Sequence, residues 1–370
     1  MKAVSLFANV GIAETYFKDI NINVIVANEL LEERAKFYSH LYPSTKMIVG
    51  DITDKKVFNR IVKQVENDKI DLLIATPPCQ GMSVAGSRNL YDERNTLIKY
   101  AVDYALIIKP RYIFFENVVQ QLKTPIEYSG EKMTIPEYIE KRLGMEYSIN
   151  DEKIVNAMDY GVPQNRKRAI FLLTRKDQKK IWKFPKKEKH IITLKEAIGD
   201  LPSLNPLIRE KEFRNKIEIT KIEGAHPWHK PPTHAWRHVE CMIHTPTGHS
   251  AWENKEYYPK KADGSPSKGY DTTYHRMDWD KPAPTVTRYN GVMGSQMNVH
   301  PGRKQKDGTY SDPRVLTIYE LIRVSSLPDD WNIPDWATEN FVRQVIGEGF
   351  PPKFSAKLIE TMPLKEENNA

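Results

Sequence analysis

The chain has 370 residues, of which 40% are hydrophobic, so the sequence predicts one large domain with a substantial core and a smaller second domain. Its two cysteines, Cys79 and Cys241, are too few for a disulfide framework or a cysteine-rich zinc site, which favours a reducing, cytoplasmic compartment. The formal net charge is +7, and no apolar run approaches the ~18 residues of a membrane span.

The first part of the chain alternates short apolar runs with helix-like segments. The apolar runs begin at Val4, Asn23, Thr45 and Asp71, and each ends in polar residues or a glycine. This order predicts parallel βα units. Ligands of such sheets bind beyond the carboxyl ends of the strands. The candidate ligand-binding residues are therefore those at the strand ends: Phe7 to Gly11, Glu29, Asp51 and Pro77 to Cys79.

These strand ends carry groups that suit a nucleoside. Gly11 lets the backbone approach a ligand closely, Glu29 can accept hydrogen bonds from both hydroxyls of a ribose, and Asp51 can accept one from an exocyclic amine. No second glycine follows Gly11 to make a pyrophosphate turn. The series therefore predicts a nucleoside cofactor without a pyrophosphate, such as S-adenosylmethionine, rather than a dinucleotide.

A double proline and a thiol follow the fourth apolar run. Taken alone, Pro77-Pro78-Cys79 indicates either a turn with an inert buried cysteine or an exposed nucleophile. A helix is predicted over 95–108 and a fifth strand over 111–115, and Glu116 stands at the end of that strand. A carboxylate next to a buried apolar strand needs a partner or a chemical task.

Two arginines, Arg166 and Arg168, precede a predicted strand over 169–173. Their alternation places them on one side if the strand has already begun, where they indicate either a solvated edge or a site for a carboxylate or anion. The run 175–190 then holds eight Lys or Arg residues and two acids, which is typical of a solvated linker or of a hinge that binds a polyanion.

The sequence changes character after this run. Up to about residue 290 it is rich in Pro, Lys, His, Trp and Tyr, with poor periodicity, which predicts a small, loop-rich domain. It contains no paired Cys/His spacing, so no metal is expected. Helical patterns over 316–324 and 341–361 predict that the chain returns to the first domain.

Taken together, these motifs resemble those of the DNA (cytosine-5) methyltransferases of bacterial restriction-modification systems, in the order usual for that family. The runs that carry the resemblance are 7–11, 28–29, 50–52, 77–83, 94–97, 116–118, 164–168, 282–287, 316–330 and 344–352. The chain departs from the family pattern at Asn9 and Ile12, where glycine is common, at Leu30, where an aromatic residue is frequent, and at Glu348, where asparagine is usual.

The resemblance implies an α/β, Rossmann-like S-adenosylmethionine-dependent methyltransferase fold with a smaller, loop-rich target-recognition domain. The catalytic and cofactor-binding domain is expected over 1–185, completed by 311–370. The target-recognition domain and hinge are expected over 186–310.

The resemblance also implies the reaction: transfer of a methyl group from S-adenosylmethionine to C5 of a flipped-out cytosine in a specific double-stranded DNA sequence, leaving S-adenosylhomocysteine. Cys79 is expected to add to C6, which activates C5. Glu116 is expected to bind N3 and the exocyclic amine of the base. Arg168, with Arg166 beside it, is expected to bind the O2 edge and orient Glu116, and Pro78 to fix the backbone.

The remaining contacts fall into two groups. Cofactor contacts are expected at Phe7, Ala8, Asn9, Gly11, Ile12, Glu29, Leu30, Asp51, Ile52, Pro77, Leu97 and Glu348. DNA contacts are expected at Gln80, Ser83, Arg94, Arg276, Thr285 and Arg288, with the basic run on phosphates. The expected partners are double-stranded DNA and a cognate restriction endonuclease acting on the same site, and no membrane.

Two alternatives stay open at this point. A tRNA cytosine-5 methyltransferase of the related lineage uses the same chemistry, but its catalytic run differs from the Gly81-Met82-Ser83 that follows Cys79-Gln80 here. A non-catalytic DNA-binding regulator on the same scaffold is the second alternative, and the complete set of Cys79, Glu116 and Arg168 speaks against it.

Overall fold

The computed structural model describes residues 1–78, 92–150, 154–220, 224–261, 263–267, 269, 272–294 and 297–363. The chain forms two compact units. Unit 1 is Met1–Asn156, Lys167–Lys187 and Pro352–Ala370, and unit 2 is Ala157–Arg166 and Glu188–Pro351. Residues 311–351 thus group with unit 2, whereas the expected first domain included them. The functional roles given to the two domains stay predictions.

A large mixed sheet forms the centre of unit 1. Its strands are β1 (Lys2–Leu6), β2 (Asn23–Glu29), β3 (Lys46–Val49), β4 (Leu72–Ala75), β5 (Tyr112–Asn117), β8 (Tyr147–Ile149), β9 (Ile154–Asn156) and β10 (Lys167–Arg175). Their order is β3-β2-β1-β4-β5-β10-β8, with β9 also paired to β10. The first five are parallel and β10 is antiparallel to its neighbours. A separate hairpin joins β6 (Pro125–Tyr128) to β7 (Glu131–Thr134).

The helices of unit 1 cover this sheet. They are α1 (Glu32–Leu41), α2 (Lys55–Lys63), α3 (Ile98–Ile108), α4 (Ile135–Leu143) and α9 (Pro352–Glu360). Local sequence sets their starts: the side chain of Asp54 accepts a hydrogen bond from the N–H of Lys56, and Thr134 and Glu137 form a capping box. The central strands read as continuous apolar runs because both faces of a parallel sheet are covered.

Unit 2 contains shorter elements joined by long irregular segments, as the Pro- and His-rich sequence predicts. Its helices are α5 (Leu194–Ile198), α6 (Trp236–Ile243), α7 (Ile318–Val324) and α8 (Glu339–Glu348), and β11 (Leu207–Ile208) pairs with β12 (Thr233–His234). Its interior includes a buried ionic cluster in which Arg314 binds the carboxylates of Asp312 and Glu320. Burial of this cluster requires that its charges are paired.

The α/β fold expected from the sequence is confirmed by the sheet order and by each predicted strand from β1 to β5 and β10. The predicted helical stretch 341–361 is two helices, since α8 ends at Glu348 and α9 begins at Pro352. Only α9 belongs to unit 1, whereas α7 and α8 belong to unit 2. Among the described residues, none of the helices combines the length and apolar character that crossing a membrane requires.

Candidate active site and cofactor site

The carboxyl ends of the parallel strands lie at one edge of the sheet in unit 1 and carry the predicted cofactor residues. Glu29, the last residue of β2, is buried, and its carboxylate accepts hydrogen bonds from the N–H groups of Asn9 (2.9 Å) and Leu31 (3.0 Å). A carboxylate has about four acceptor positions, so two backbone bonds leave capacity for hydroxyls of a ligand. The side chain of Asn28, a motif residue to which the sequence assigned no role, donates to the carbonyls of Ile48 and Gly50 and fixes the end of β3.

The loop after β1 bends through three left-handed residues, Phe7, Asn9 and Gly11, with φ values of 58°, 50° and 79°. Asparagine adopts this conformation more readily than other residues with a side chain. Asn9 can therefore stand where the family commonly has glycine, and its side chain also accepts a hydrogen bond from the N–H of Val10 (2.9 Å). Asparagine at this position is thus compatible with the left-handed turn.

The other expected cofactor residues form an edge of mixed polarity. Asp51 is exposed and accepts a hydrogen bond from the N–H of Thr53, while Ile52 is buried. Leu30 is 57% exposed although it is apolar and directly follows Glu29. Ala8, Ile12 and Pro77 are buried, and Leu97 is half-buried at the start of α3. Carboxylates can accept hydrogen bonds from ribose hydroxyls and from an exocyclic amine, and the exposed side chain of Leu30 offers apolar surface for an adenine ring, so these residues fit S-adenosylmethionine.

A buried ion pair lies at the ends of β5 and β10. Nε of Arg168 is 2.8 Å from Oε1 of Glu116, and each side chain is 11% exposed. The antiparallel register places Asn117 opposite Ala169, which brings Arg168 to the end of β5. The arginine therefore fixes one face of the carboxyl group of Glu116, as the sequence predicts for an orienting residue.

The double proline, Pro77-Pro78, is hydrogen-bonded to the end of β5, at the same edge of the sheet. The side-chain amide of Asn117 donates to the carbonyl of Pro77 (3.0 Å), and Pro78 is half-buried. Asn117 belongs to the motif run 116–118, but the sequence assigned it no role. The predicted nucleophile Cys79 and the predicted DNA contacts Gln80 and Ser83 lie outside the described residues.

Arg166 binds backbone carbonyls of unit 2. It precedes β10, is buried in unit 2, and donates to the carbonyls of Val286 (2.8 Å) and Gly349 (2.9 Å). Arg166 thus binds backbone carbonyls of unit 2, and Arg168 binds the carboxylate of Glu116 in unit 1. The expected role of Arg166 beside Arg168 at the base stays a prediction. The geometry gives Arg166 a structural role at the carboxyl end of α8, where free carbonyls attract a cation.

Three further predicted residues lie near one another in unit 2. Nη1 of Arg288, an expected DNA contact, is 3.3 Å from Oε1 of Glu348, an expected cofactor contact. The hydroxyl of Thr285 donates to the carbonyl of Asn165 (2.8 Å). The glutamate that replaces the usual asparagine thus has a cationic partner within its own unit.

Two expected phosphate contacts differ strongly in exposure. Arg276 is fully buried, and its guanidinium donates to the carbonyls of Met242 (2.6 Å) and His300 (2.8 Å). Burial lowers the pKa of Arg276 to about 9. The burial of this guanidinium within unit 2 argues against the expected contact of Arg276 with a DNA phosphate. The side chain of Arg94 is 43% exposed and forms an ion pair with Asp92.

The structure and the comparisons together identify the class of protein. A parallel sheet whose strand ends carry acidic residues, with the Glu116–Arg168 pair at the same edge, is a Rossmann-like architecture of the expected methyltransferase class. The sequence matches the family of C-5 cytosine-specific DNA methylases over residues 1–363, so the chain belongs to that family. The predicted family and enzyme class are confirmed.

Individual relatives agree with this assignment. The chain is 45% identical over 354 residues to Type II methyltransferase M1.HgaI of Avibacterium volantium, with 94% of each chain covered. It is 27% identical to Type II methyltransferase M1.HphI of Haemophilus parahaemolyticus, covering 99% of this chain and 87% of the relative.

Solved structures show the same fold. A DNA modification methyltransferase encoded within an E. coli prophage matches with a TM-score of 0.67 at 20% identity, covering 98% of both chains. DNMT2 of Spodoptera frugiperda matches with a TM-score of 0.57 at 15% identity, covering 98% of this chain and 99% of that one. At these identities the likeness supports the fold alone.

Proposed function

We propose that this protein transfers a methyl group from S-adenosylmethionine to C5 of a flipped-out cytosine within a specific double-stranded DNA sequence. The observation that carries the proposal is the Glu116–Arg168 ion pair at 2.8 Å, at the strand edge that also carries Glu29 and the double proline. This arrangement holds an acid in a fixed orientation beside the segment that leads to Cys79. A base in a duplex must leave the stack to reach such a group.

Each residue has a defined task in the proposed reaction. Cys79 adds as a thiolate to C6, so that C5 gains electron density, and it leaves when the C5 proton is lost. Glu116 binds N3 and the exocyclic amine, and Arg168 orients its carboxyl group. The cofactor is held at Phe7 to Ile12, Glu29, Leu30, Asp51, Ile52, Pro77 and Leu97, with Glu348 as a further contact. When bound, S-adenosylmethionine supplies an electrophilic methyl group.

The biological role proposed is modification in a restriction-modification system. The relatives named M1.HgaI and M1.HphI are Type II methyltransferases. By analogy, this protein methylates a site that a cognate endonuclease cleaves, and it acts in the cytoplasm. Arg94, Thr285, Arg288, Gln80, Ser83 and the basic run 175–190 are proposed to contact the DNA.

The direct test measures methyl incorporation with labelled S-adenosylmethionine into duplex DNA and into tRNA, offered separately. We expect incorporation into DNA containing the recognition sequence. Glu116→Gln is expected to lower kcat/KM by about 10²–10⁴-fold, because the acid is lost while the shape is kept. Glu131→Gln, an exposed acid on β7 in the same unit, is the matched control and should retain activity.

The outcomes of this test separate the alternatives. Incorporation into tRNA alone contradicts the DNA substrate, and equal loss of activity in both glutamine variants contradicts the role of Glu116. Bisulfite sequencing of DNA from a host that expresses the protein then gives the recognition sequence. A single methylated motif is expected.

A further inference from the structure

The loop after β1 has a strained backbone, so contacts with neighbouring residues are needed to keep its conformation. Phe7, Asn9 and Gly11 are all left-handed within five residues, and residues with a side chain adopt such conformations only at a cost in free energy. The N–H of Asn9 is held by Glu29, as described above. The carboxyl end of the loop, at Gly11, is held by residues that have no role in the proposed reaction.

Tyr38 and Tyr42, one turn apart at the end of α1, cover Gly11. The hydroxyl of Tyr42 donates to the carbonyl of Gly11 (2.7 Å). A Cβ added at Gly11 would collide with the ring of Tyr42 and would lie 2.9 Å from Cε2 of Tyr38. The two rings pack on each other with centroids 4.9 Å apart. Gly11 is therefore fixed both through its carbonyl and through its α-carbon.

A buried carboxyl group holds Tyr38 in turn. Glu14 is 3% exposed, and its Oε2 accepts a hydrogen bond from the hydroxyl of Tyr38. The side chain of Ser5 on β1 also forms a hydrogen bond with Glu14. Burial raises the pKa of Glu14 to about 7, against the opposing effect of these two hydrogen bonds. Glu14 thus connects β1, the loop and α1 inside unit 1.

We propose that Glu14, Tyr38 and Tyr42 are positioning residues for S-adenosylmethionine, because they hold the Phe7–Gly11 loop in its ligand-binding shape from behind. This inference rests on the proposed function, which places the cofactor at this loop. The cluster joins the loop to α1, and the bond from Asn9 to Glu29 joins it to β2, directly before α1. The loop is therefore bound to this one segment of the chain at its middle, through Asn9, and at its carboxyl end, through Gly11.

The test uses the full-length protein and removes single hydroxyl groups. Tyr42→Phe keeps the ring and loses the bond to Gly11, and it is expected to raise the Kd for S-adenosylmethionine, measured by calorimetry, about five- to tenfold. The KM for S-adenosylmethionine should rise in parallel, with kcat and the KM for DNA unchanged. Tyr38→Phe is expected to act in the same direction.

A matched control separates positioning from general stability. The hydroxyl of Tyr147 in the same unit also donates to a buried backbone carbonyl, that of Pro110, at 2.8 Å. Tyr147→Phe should lower the melting temperature about as much as Tyr42→Phe and leave the Kd unchanged. Glu14→Gln, which can still accept from Tyr38, should keep the parent's affinity, whereas Glu14→Ala should lose it as the tyrosine variants do.

Two results overturn the inference. It fails if Tyr42→Phe binds S-adenosylmethionine with the parent's Kd, or if Tyr147→Phe weakens binding equally. If the parent protein itself does not bind S-adenosylmethionine, the proposed function fails first and the inference fails with it. The parent's titration therefore distinguishes the two failures.

Discussion

Replacing Glu14 by glutamine should change how the stability of the protein depends on pH. Glu14 is buried, and burial raises its pKa from the ordinary value of 4.5 to about 7. Ser5 and Tyr38 are its hydrogen-bond partners. The pKa of Tyr42 is raised by its own burial and, to a smaller extent, by the nearby charge of Glu14. Glutamine has nearly the same shape and cannot ionise, so Glu14→Gln isolates the effect of the charge.

The helix α9 also packs against the turn that contains Glu14. Its charged residues Lys353, Lys357 and Glu360 are exposed. The neutral form of Glu14 is therefore favoured by burial rather than by a charged neighbour on this helix.

The magnitude follows from the two pKa values. The folded protein retains the proton more strongly than the unfolded chain, so the contribution of Glu14 to stability is fully present below pH ~4.5 and is lost as the pH rises through about 7. The difference between pKa values of 4.5 and about 7 corresponds to about 3 kcal/mol. Between pH ~5 and pH ~8, the free energy of unfolding of Glu14→Gln should therefore rise by roughly 2–3 kcal/mol relative to that of the parent.

Urea unfolding of both proteins across this pH range measures the effect. Other titrating groups are common to both proteins, so their contributions cancel in the difference. A difference in unfolding free energy that stays constant with pH would show that Glu14 titrates normally, and it would refute the reasoning. A change of opposite sign would show that Glu14 is held ionised in the folded protein.

Two further pairs of variants test the backbone and the buried charges. Gly130 has φ 79° and open space around it, so Gly130→Ala should lower the free energy of unfolding by about 1 kcal/mol. Gly11 has the same φ but lies against the ring of Tyr42, so Gly11→Ala should lower the free energy of unfolding further and weaken S-adenosylmethionine binding at least tenfold. Equal costs and unchanged binding would contradict this. In unit 2, Arg314→Leu removes the guanidinium that pairs with two buried carboxylates and should cost about 3–5 kcal/mol in urea unfolding. Arg323→Leu, whose two partners are exposed, should cost less than about 1 kcal/mol, and similar losses would contradict the role of burial.

Much of the architecture of unit 1 could be predicted because its strands are continuous apolar runs with polar ends. Glu29, Asp51 and Glu116 stand within two residues of the ends of such runs, and the structure places them at or just after the ends of β2, β3 and β5. Local sequence carried this information because parallel strands end at one edge of the sheet.

Contacts between distant segments could not be predicted in the same way. The carbonyls that Arg166 binds belong to residues 120 and 183 positions further along the chain. Arg276 looked like a surface cation, and its burial depends on three segments that supply carbonyls. The burial of Glu14 could not be predicted from hydrophobic periodicity, because it depends on Tyr38, 24 residues further along the chain, and on Tyr42.

The proposed nucleophile offers the most direct test of the central claim, that a thiolate of Cys79 activates cytosine C5. The control is Cys241, which is buried and whose pKa burial raises to about 11, so that it is a poor nucleophile. Parent, Cys79→Ala and Cys241→Ala are incubated with duplex DNA and S-adenosylmethionine, and the nucleosides are then measured by mass spectrometry. If Cys79 is the nucleophile, 5-methyldeoxycytidine is expected from the parent and from Cys241→Ala, and none from Cys79→Ala. Methylation at another base position, or 5-methyldeoxycytidine from Cys79→Ala, would contradict it.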